Sequence, residues 1–361
     1  MASMKLNLSG DVAELTRELV DIESVSGNEG QIADAIEQAL ASCPHLSITR
    51  DGNAIVAKTN LGLPKQVVIA GHIDTVPVAA NLPSKLMSFE REQVIWGRGT
   101  VDMKAGLAVM LKLAAEITKP VMDVVWVFYD QEEIEATKNG LGRLVRNHPE
   151  LIKGSFAILC EPTAATIEGG CNGTMRVELA LSGIKAHSAR PWMGSNAIHK
   201  LGGALQILNA YIPEEIEVDG LIFRESLNAV MVSGGVATNV IPDQATLTLN
   251  YRFAPSRSVE DATEYLKKMF PDNDFSVVDS ASGARPGMNS PEAMAFVDAV
   301  QAPVNPKYGW TDVSRFSEMG IPAVNYGPGD PNKAHADDEN VPASQIYACE
   351  VGLRKFLAPN L

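Results

Sequence analysis

The chain has 361 residues, of which 45% are hydrophobic and 20% are charged, and its formal net charge is −14. This length and apolar content predict a large core and two domains. The negative charge makes nucleic acid and anionic membrane surfaces unfavourable partners, whereas a small anionic substrate could still bind to a local arginine. No apolar stretch approaches the roughly 20 residues of a membrane span, and no hydrophobic leader begins the sequence, so we expect a cytoplasmic location.

The spacing of apolar residues predicts helices and strands that alternate through the first half of the chain. Residues 12–20 and 31–40 have helical spacing, with Ser26 or Asn28 as the expected N-cap of the second helix. A third helix is expected at 103–117. Apolar runs rich in Val, Ile and Phe predict buried strands at 54–59, 66–70, 121–129 and 156–159. This alternation is typical of an α/β domain whose sheet is covered on both faces.

The pattern changes near residue 175 and returns near residue 287. Alternating apolar and polar residues at 176–182 and 245–253 predict antiparallel strands, accompanied by helices at 197–211 and 259–269. A buried strand is expected again at 321–326. The fold class is therefore α/β. The larger domain would comprise residues 1–174 and 287–361, and an inserted α+β domain with an antiparallel sheet would comprise 175–286.

The first motif with chemical content is G-H-I-D-T-V-P at 71–77, directly after a predicted strand. Side chains two positions apart on an extended segment face the same way, so His72 could bind a metal while Asp74 accepts a hydrogen bond from its other ring nitrogen. The alternative is a histidine that is merely hydrogen-bonded at a strand end. The motifs that follow favour the metal.

The second motif, G-R-G-T-V-D-M-K-A-G at 97–106, leads into a helix. Its glycines raise the alternative of a phosphate-binding loop, but both G-x-x-x-x-G-K-[ST] and G-x-G-x-x-G are absent. Asp102 is the better candidate, because a carboxylate in a tight loop can present one oxygen to each of two metals.

Acidic residues follow a third predicted strand in Y-D-Q-E-E at 129–133. Adjacent carboxylates at a strand end point in different directions, so Glu133 could bind a metal while Glu132 reaches a water molecule. The alternative is a solvated acidic turn that also includes Asp130 and Glu135.

Two further motifs complete the candidate set. In C-E-P-T at 160–163, the proline holds Glu161 at the end of a short apolar strand. The four cysteines form no C-x-x-C pair, so we expect reduced thiols and interpret Cys160 as a packing residue. In A-H-A-D-D-E at 334–339, His335 follows a loop rich in glycine and proline.

Taken in chain order, G-H-x-D-T-V-P, G-x-G-x-x-D-M-K-x-G, E-E, E-P-T and a late histidine resemble the co-catalytic zinc metallopeptidase family. That family includes aminoacylases, carboxypeptidases, acetylornithine deacetylases and succinyl-diaminopimelate desuccinylases. The resemblance extends over nearly the whole chain. It implies a zinc-peptidase-like catalytic domain with a mixed central sheet, an inserted dimerisation or lid domain, and a homodimer. It also implies two Zn²⁺ ions per subunit, for which Co²⁺ could substitute.

The resemblance also implies roles for individual residues. His72 and Glu161 would bind one ion, Glu133 and His335 would bind the other, and Asp102 would bridge the two, preceding a cis peptide bond. Glu132 would be the general base, and Asp74 would be a catalytic residue that holds the ring of His72. His187, in I-K-A-H-S-A-R-P of the inserted domain, would reach the partner subunit's site and stabilise an oxyanion.

Substrate contacts are implied by the same resemblance. Asn239 in N-V-I-P, Arg252 in N-Y-R-F and Thr311 in G-W-T-D resemble positions that contact substrate, and a guanidinium can pair with a carboxylate. These stretches favour the desuccinylase branch and a small anionic N-acyl amino acid as substrate. An acetylornithine deacetylase, a dipeptidase and a catalytically silent dimeric binding protein are the alternatives.

Overall fold

The computed structural model describes residues 5–89 and 92–360, which form two compact units. The first unit contains the chain up to Gly169, Gly287–Asn305, and the chain from Arg315 onward. The second contains Gly170–Pro286 and Pro306–Ser314. Among the described residues, no helix combines the length and the apolar character needed to cross a membrane. The expected cytoplasmic location stays a prediction.

The α-helices of the described chain occur in both units, and most match the predicted helical segments within a few residues. In chain order they are α1 (Val12–Val20), α2 (Gly30–Leu40), α3 (Ala105–Glu116), α4 (Gly140–Asn147), α5 (Ala197–Ala210), α6 (Val259–Met269), α7 (Pro291–Val300), α8 (Val313–Glu318) and α9 (Ala343–Leu357).

The strands of the described chain are more numerous than the predicted apolar runs, and the strands that match those runs differ from them by a few residues at either end. The strands up to Gly169 are β1 (Ser47–Asp51), β2 (Ala54–Lys58), β3 (Gln66–His72), β4 (Lys85–Phe89), β5 (Glu92–Trp96), β6 (Asp123–Tyr129), β7 (Phe156–Leu159) and β8 (Ile167–Gly169). The remainder are β9 (Gly173–Ser182), β10 (Ala186–His187), β11 (Glu215–Val218), β12 (Leu221–Arg224), β13 (Ser226–Gly234), β14 (Val240–Ile241), β15 (Gln244–Phe253), β16 (Asp274–Ala281), β17 (Val304–Pro306), β18 (Ala323–Asn325) and β19 (Asn340–Pro342).

The first unit is built on an eight-stranded sheet in the order β1-β2-β6-β3-β7-β18-β8-β17. Its central strands β6, β3, β7 and β18 run parallel, whereas β1, β2 and β8 pair antiparallel with their neighbours. Every residue of β6 and β7 is buried, because helices cover a parallel sheet on both faces. The predicted α/β class with a mixed central sheet is confirmed.

The second unit contains a four-stranded antiparallel sheet in the order β13-β15-β9-β16. Burial alternates along β9, since one face packs against apolar residues of α5 and α6 and the other faces outward. At one edge, β13 pairs only with β15 among the described strands and leaves most of its residues exposed.

Two local expectations differ from the structure. The second helix begins at Gly30, after Glu29, and neither Ser26 nor Asn28 caps it: the Ser26 hydroxyl donates to Asp74 Oδ2 at 2.7 Å instead. The stretch Pro306–Ser314 belongs to the second unit, not to the first as its sequence position suggested. Hydrogen bonds hold this stretch in the second unit; for example, the Asn172 N–H donates to the Lys307 backbone oxygen at 3.1 Å.

Gly106 provides a test of how tightly α3 packs against the segment that follows β7 and carries Glu161. A Cβ atom at Gly106 would overlap the backbone oxygen of Cys160, which cannot rotate away. We expect Gly106→Ala to destabilise the protein by about 1–3 kcal/mol, as overpacked cores generally do. The change is measured by urea unfolding followed by circular dichroism.

Gly202 is the matched control, because it also lies inside a helix but a Cβ there would meet nothing within 4 Å. Gly202→Ala should be neutral or stabilising by up to about 1 kcal/mol, since alanine is the better helix former. Equal stability of the two variants would contradict the packing argument.

Candidate functional site

Several candidate metal-site residues lie at the carboxyl ends of three parallel strands of the first unit, at one edge of the sheet. His72 is the last residue of β3, which lies between β6 and β7. Glu132 and Glu133 follow the end of β6, and Glu161 follows the end of β7. The carboxyl ends of neighbouring parallel strands meet at the same edge, so residues far apart in the chain converge there.

Asp102 lies between two histidines. Its Oδ1 atom is 2.9 Å from His72 Nε2, and its Oδ2 atom is 3.4 Å from His335 Nε2. His335 Nε2 also lies 2.9 Å from Glu133 Oε1, and His72 Nε2 lies 4.0 Å from Glu161 Oε1. The peptide bond from Asp102 to Met103 is cis, which confirms that implication of the resemblance.

The donor atoms form three overlapping groups that could hold a metal ion, within each of which the ligand atoms lie within 4.8 Å of one another. Two of these groups share Asp102 and together contain the five residues expected to be ligands. A third group joins His72 to both Glu132 and Glu133, so geometry alone does not separate the expected base from the expected ligand. The two groups that share Asp102 are His72–Asp102–Glu161 and Asp102–Glu133–His335.

Asp74 organises the loop that carries the paired glutamates. Its carboxylate accepts the backbone N–H of Glu132 at 3.0 Å, the backbone N–H of Glu133 at 3.1 Å and the Ser26 hydroxyl. His72 Nδ1 lies 3.1 Å from the Asp74 backbone oxygen and 3.5 Å from its Oδ1, so the backbone oxygen is the closer acceptor. Asp74 therefore orients both the histidine and the glutamate pair.

Electrostatics in the cluster favour positive charge among the carboxylates. Burial alone would lower the pKa of His72, but hydrogen bonds with Asp102 and Asp74 raise it well above its ordinary value. Hydrogen bonds with Asp102 and Glu133 raise the pKa of His335 to about 10. Burial alone would raise the pKa of Asp102, yet its contacts with the two histidines hold that pKa well below the usual range. The same negative field would attract divalent cations.

Sequence reasoning missed three residues that support this cluster: Ser26, Arg98 and Glu339. Glu339 is 1% exposed, and its carboxylate accepts backbone N–H groups of the loop that carries Asp102. Burial raises the pKa of Glu339, while those N–H groups oppose the rise. The only sequence signal was position: Glu339 closes the A-H-A-D-D-E run, and Arg98 lies in the glycine-rich motif.

The other predicted site residues lie in the second unit. His187 is exposed at the end of β10, and its Nδ1 atom accepts the backbone N–H of Ala189 at 3.1 Å. The short β10–β14 pair brings Asn239 close to it, because the Ser188 N–H donates to the Asn239 backbone oxygen at 2.9 Å.

Arg252 and Thr311 are less exposed. Arg252 lies on β15 and donates from Nε to Asn250 Oδ1 at 3.1 Å, and burial lowers its pKa. Thr311 is buried, and its backbone oxygen lies 3.8 Å from the sulfur of Cys171. Cys160, in the first unit, is fully buried, and burial raises its pKa well above the ordinary value, which agrees with a packing role.

Comparison with known proteins places this geometry in a family. Residues 68–358 match the model of peptidase family M20/M25/M40. A Mycobacterium tuberculosis protein, provisionally named succinyl-diaminopimelate desuccinylase DapE, is 52% identical over 98% of this chain and 99% of its own length. The succinyl-diaminopimelate desuccinylase of Corynebacterium glutamicum is 44% identical over 98% of each chain.

A solved structure extends the similarity to the fold. A tripeptidase from Staphylococcus aureus superposes with a TM-score of 0.77 over 98% of each chain, at 21% sequence identity. The family match covers most of the chain, including every residue of the candidate metal cluster. The chain therefore belongs to peptidase family M20/M25/M40 and is a hydrolase of that family.

Proposed function

We propose that this protein is a succinyl-diaminopimelate desuccinylase. It would hydrolyse N-succinyl-L,L-2,6-diaminopimelate to succinate and L,L-2,6-diaminopimelate, a step in the synthesis of lysine and cell-wall precursors. The observation that carries the proposal is the near-full-length identity, 52% and 44%, to relatives that bear this name.

We also propose two Zn²⁺ ions per subunit, with Co²⁺ able to replace them. His72, Asp102 and Glu161 would hold one ion, and Asp102, Glu133 and His335 would hold the other. Imidazole nitrogen and carboxylate oxygen are ordinary zinc ligands, and the two oxygens of Asp102 already face different histidines. Zinc bound at these groups would polarise the amide carbonyl and lower the pKa of a water molecule.

Glu132 is the proposed general base. The backbone N–H of Glu132 donates to Asp74. Because Glu132 is partly exposed, its carboxylate is accessible to both water and substrate. It would take a proton from the attacking water and pass it to the departing amine nitrogen. The reaction then needs no net proton from solvent.

His187 is the proposed oxyanion donor, acting in the partner subunit's site. Its Nδ1 atom accepts a hydrogen bond from Ala189, so the neutral ring carries its proton on Nε2. That N–H belongs to an exposed side chain and is available to a carbonyl oxygen that gains negative charge.

Arg252 is the proposed contact for a substrate carboxylate, with Asn239 and Thr311 as further substrate contacts. Only its Nε atom has a hydrogen-bond partner within the described chain, which leaves both terminal nitrogens of the guanidinium for a ligand. In a chain of net charge −14, an anionic substrate requires an arginine such as Arg252, which forms no ion pair with a carboxylate among the described residues.

The proposed homodimer would form along β13. On this edge strand the side chains of Val230, Met231 and Val232 are 52%, 69% and 65% exposed. Leu205 is exposed on α5, which contacts β13. Unpaired strand edges with apolar side chains are templates for pairing with another chain. Two copies of β13 could therefore continue one sheet across a two-fold axis.

The metal-loaded protein should hydrolyse the succinyl substrate at least about 100-fold more efficiently than acetylornithine or dipeptides. A site built to pair charged groups strongly rejects substrates that lack them. The measurement is kcat/KM for each compound with Zn²⁺ or Co²⁺ present. Preference for acetylornithine would replace the proposal with a deacetylase, and absence of all turnover with metal bound would indicate a binding protein.

Glu132→Gln should lower kcat by about 10²–10⁴-fold and leave the zinc content unchanged, because proton transfer is lost but the metal ligands are not. Turnover and elemental analysis of the same sample measure both effects. Glu135→Gln is the control, since Glu135 belongs to the same acidic run but is exposed and paired with Lys138 at 2.9 Å. Loss of zinc from the Glu132 variant would make Glu132 a ligand, and full activity would refute its role as base.

Met231→Lys should convert the dimer to a monomer, because a charge on an edge strand prevents pairing. Light scattering after size-exclusion chromatography measures the mass. If His187 acts in the partner's site, kcat falls with the loss of the dimer. Val278→Lys is the control, because Val278 is 54% exposed on β16, the opposite edge of the same sheet. A monomer produced only by the Val278 variant would contradict the proposed interface.

A further inference from the structure

Glu339 binds the loop that carries Asp102 through both of its carboxylate oxygens. Oε1 accepts the backbone N–H groups of Val101 at 2.8 Å and Asp102 at 3.1 Å. Oε2 accepts the backbone N–H of Gly99 at 3.1 Å and Arg98 Nη1 at 2.9 Å. Only a carboxylate offers acceptor sites for four such donors and presents no donor of its own.

Arg98 extends this network to two other motifs. It is 3% exposed, and it donates from Nε to the Pro77 backbone oxygen at 3.0 Å and from Nη1 to the Ala336 backbone oxygen at 3.2 Å. The Gly97 N–H donates to the Glu339 backbone oxygen at 3.0 Å. The pair therefore joins the segments that present His72, Asp102 and His335.

The residues of the candidate metal cluster differ in how they are held. His72 ends a buried strand and Glu161 follows one, so the sheet fixes both. Asp102 lies in the irregular turn Thr100–Lys104 of the loop before α3, and its own backbone is non-helical there. His335 lies on a loop, with a half-exposed side chain and a backbone φ of +66°. A non-glycine residue keeps such a φ only where its surroundings enforce it.

We propose that Glu339, together with Arg98, is a positioning residue that sets the affinity of the metal held by Asp102, Glu133 and His335. It does so by fixing the loop of Asp102 relative to the segment 334–339, which carries His335. The metal held by His72, Asp102 and Glu161 depends on it less, because two of those three ligands are anchored by strands. This inference rests on the proposed dinuclear centre and not on the identity of the acyl group.

The test is a Co²⁺ titration of metal-free protein, followed by absorption spectroscopy and by metal analysis after gel filtration. Wild-type protein should bind two Co²⁺ ions. In Glu339→Gln, an amide N–H₂ group would face backbone donors. We expect the affinity for the second ion, the one held by Asp102, Glu133 and His335, to fall about 10–100-fold, the usual effect of removing a residue that supports a ligand. The first ion should bind with less than a threefold change.

Glu225→Gln is the matched control. Glu225 is also fully buried, and it accepts from Arg257 Nε at 2.8 Å, the Ala254 N–H at 2.9 Å and the Tyr251 hydroxyl, all in the second unit. Its substitution should lower the thermal stability of the metal-free protein without changing either Co²⁺ affinity. A purely structural role for Glu339 would make the two variants behave alike.

The outcomes separate the two proposals. Fewer than two Co²⁺ ions on wild-type protein would refute the dinuclear centre, whereas two ions bound equally well by wild type and Glu339→Gln would refute the role of Glu339. If Glu339→Gln does not fold, Arg98→Lys provides the same readout, because lysine keeps the positive charge but has one nitrogen in place of the two with which Arg98 contacts Pro77 and Ala336. A second-site affinity within threefold of wild type in Arg98→Lys would also refute the inference.

Discussion

The contact of one carboxylate with two histidines underlies the whole site. Asp102 directs one oxygen to His72 and the other to His335, at 2.9 Å and 3.4 Å. Glu133 and Glu161 lie beside the same two rings, so three carboxylates share a small volume. Their mutual repulsion would separate them unless positive charge lay between them, and this is why the pKa of each histidine is raised. A cluster with this charge balance is suited to divalent cations.

Two other buried carboxylates shape the loops around this cluster. Asp74 accepts the N–H groups of Glu132 and Glu133, and Glu339 accepts those of the Asp102 loop. Loops at the end of a sheet lack partners for their backbone groups, and an unpaired buried N–H is costly. A carboxylate that takes several such donors both satisfies them and selects one loop conformation. The acidic residues of this site thus divide into those that face the cluster and those that hold its loops in place.

Much of this arrangement could be predicted from the sequence because the signals are local. Apolar runs predict β3, β6 and β7, and the ionisable residues directly after those runs are the candidate site residues. No single apolar run predicts the order of those strands in the sheet. Only the resemblance of all the motifs together to a family indicates that they form one site. Glu339 and Asp102 are separated by 237 positions, and their hydrogen bond leaves no periodic pattern.

Two predictions about local structure were wrong for the same reason, because they depend on partners distant in the sequence. Ser26 has the local pattern of a helix cap, yet its hydroxyl finds a better acceptor 48 residues away on Asp74. Residues 306–314 follow helix α7 of the first unit but form their backbone contacts in the second. In each case the hydrogen bonds that form are to partners distant in the sequence, and local propensity does not predict such partners.

The difference in exposure between the two histidines of the metal cluster is consistent with a hydrolytic function. The His72 side chain is 1% exposed at a strand end, whereas the His335 side chain is 51% exposed on a loop. Rigid buried donors keep charge in place before the reaction, so no reorganisation is needed when an oxyanion forms. A hydrolytic site must also admit water and substrate, which a fully buried cluster would exclude. Because the exposed ligand cannot rely on the sheet, its position depends on hydrogen bonds among loops, and the buried Glu339–Arg98 pair supplies them.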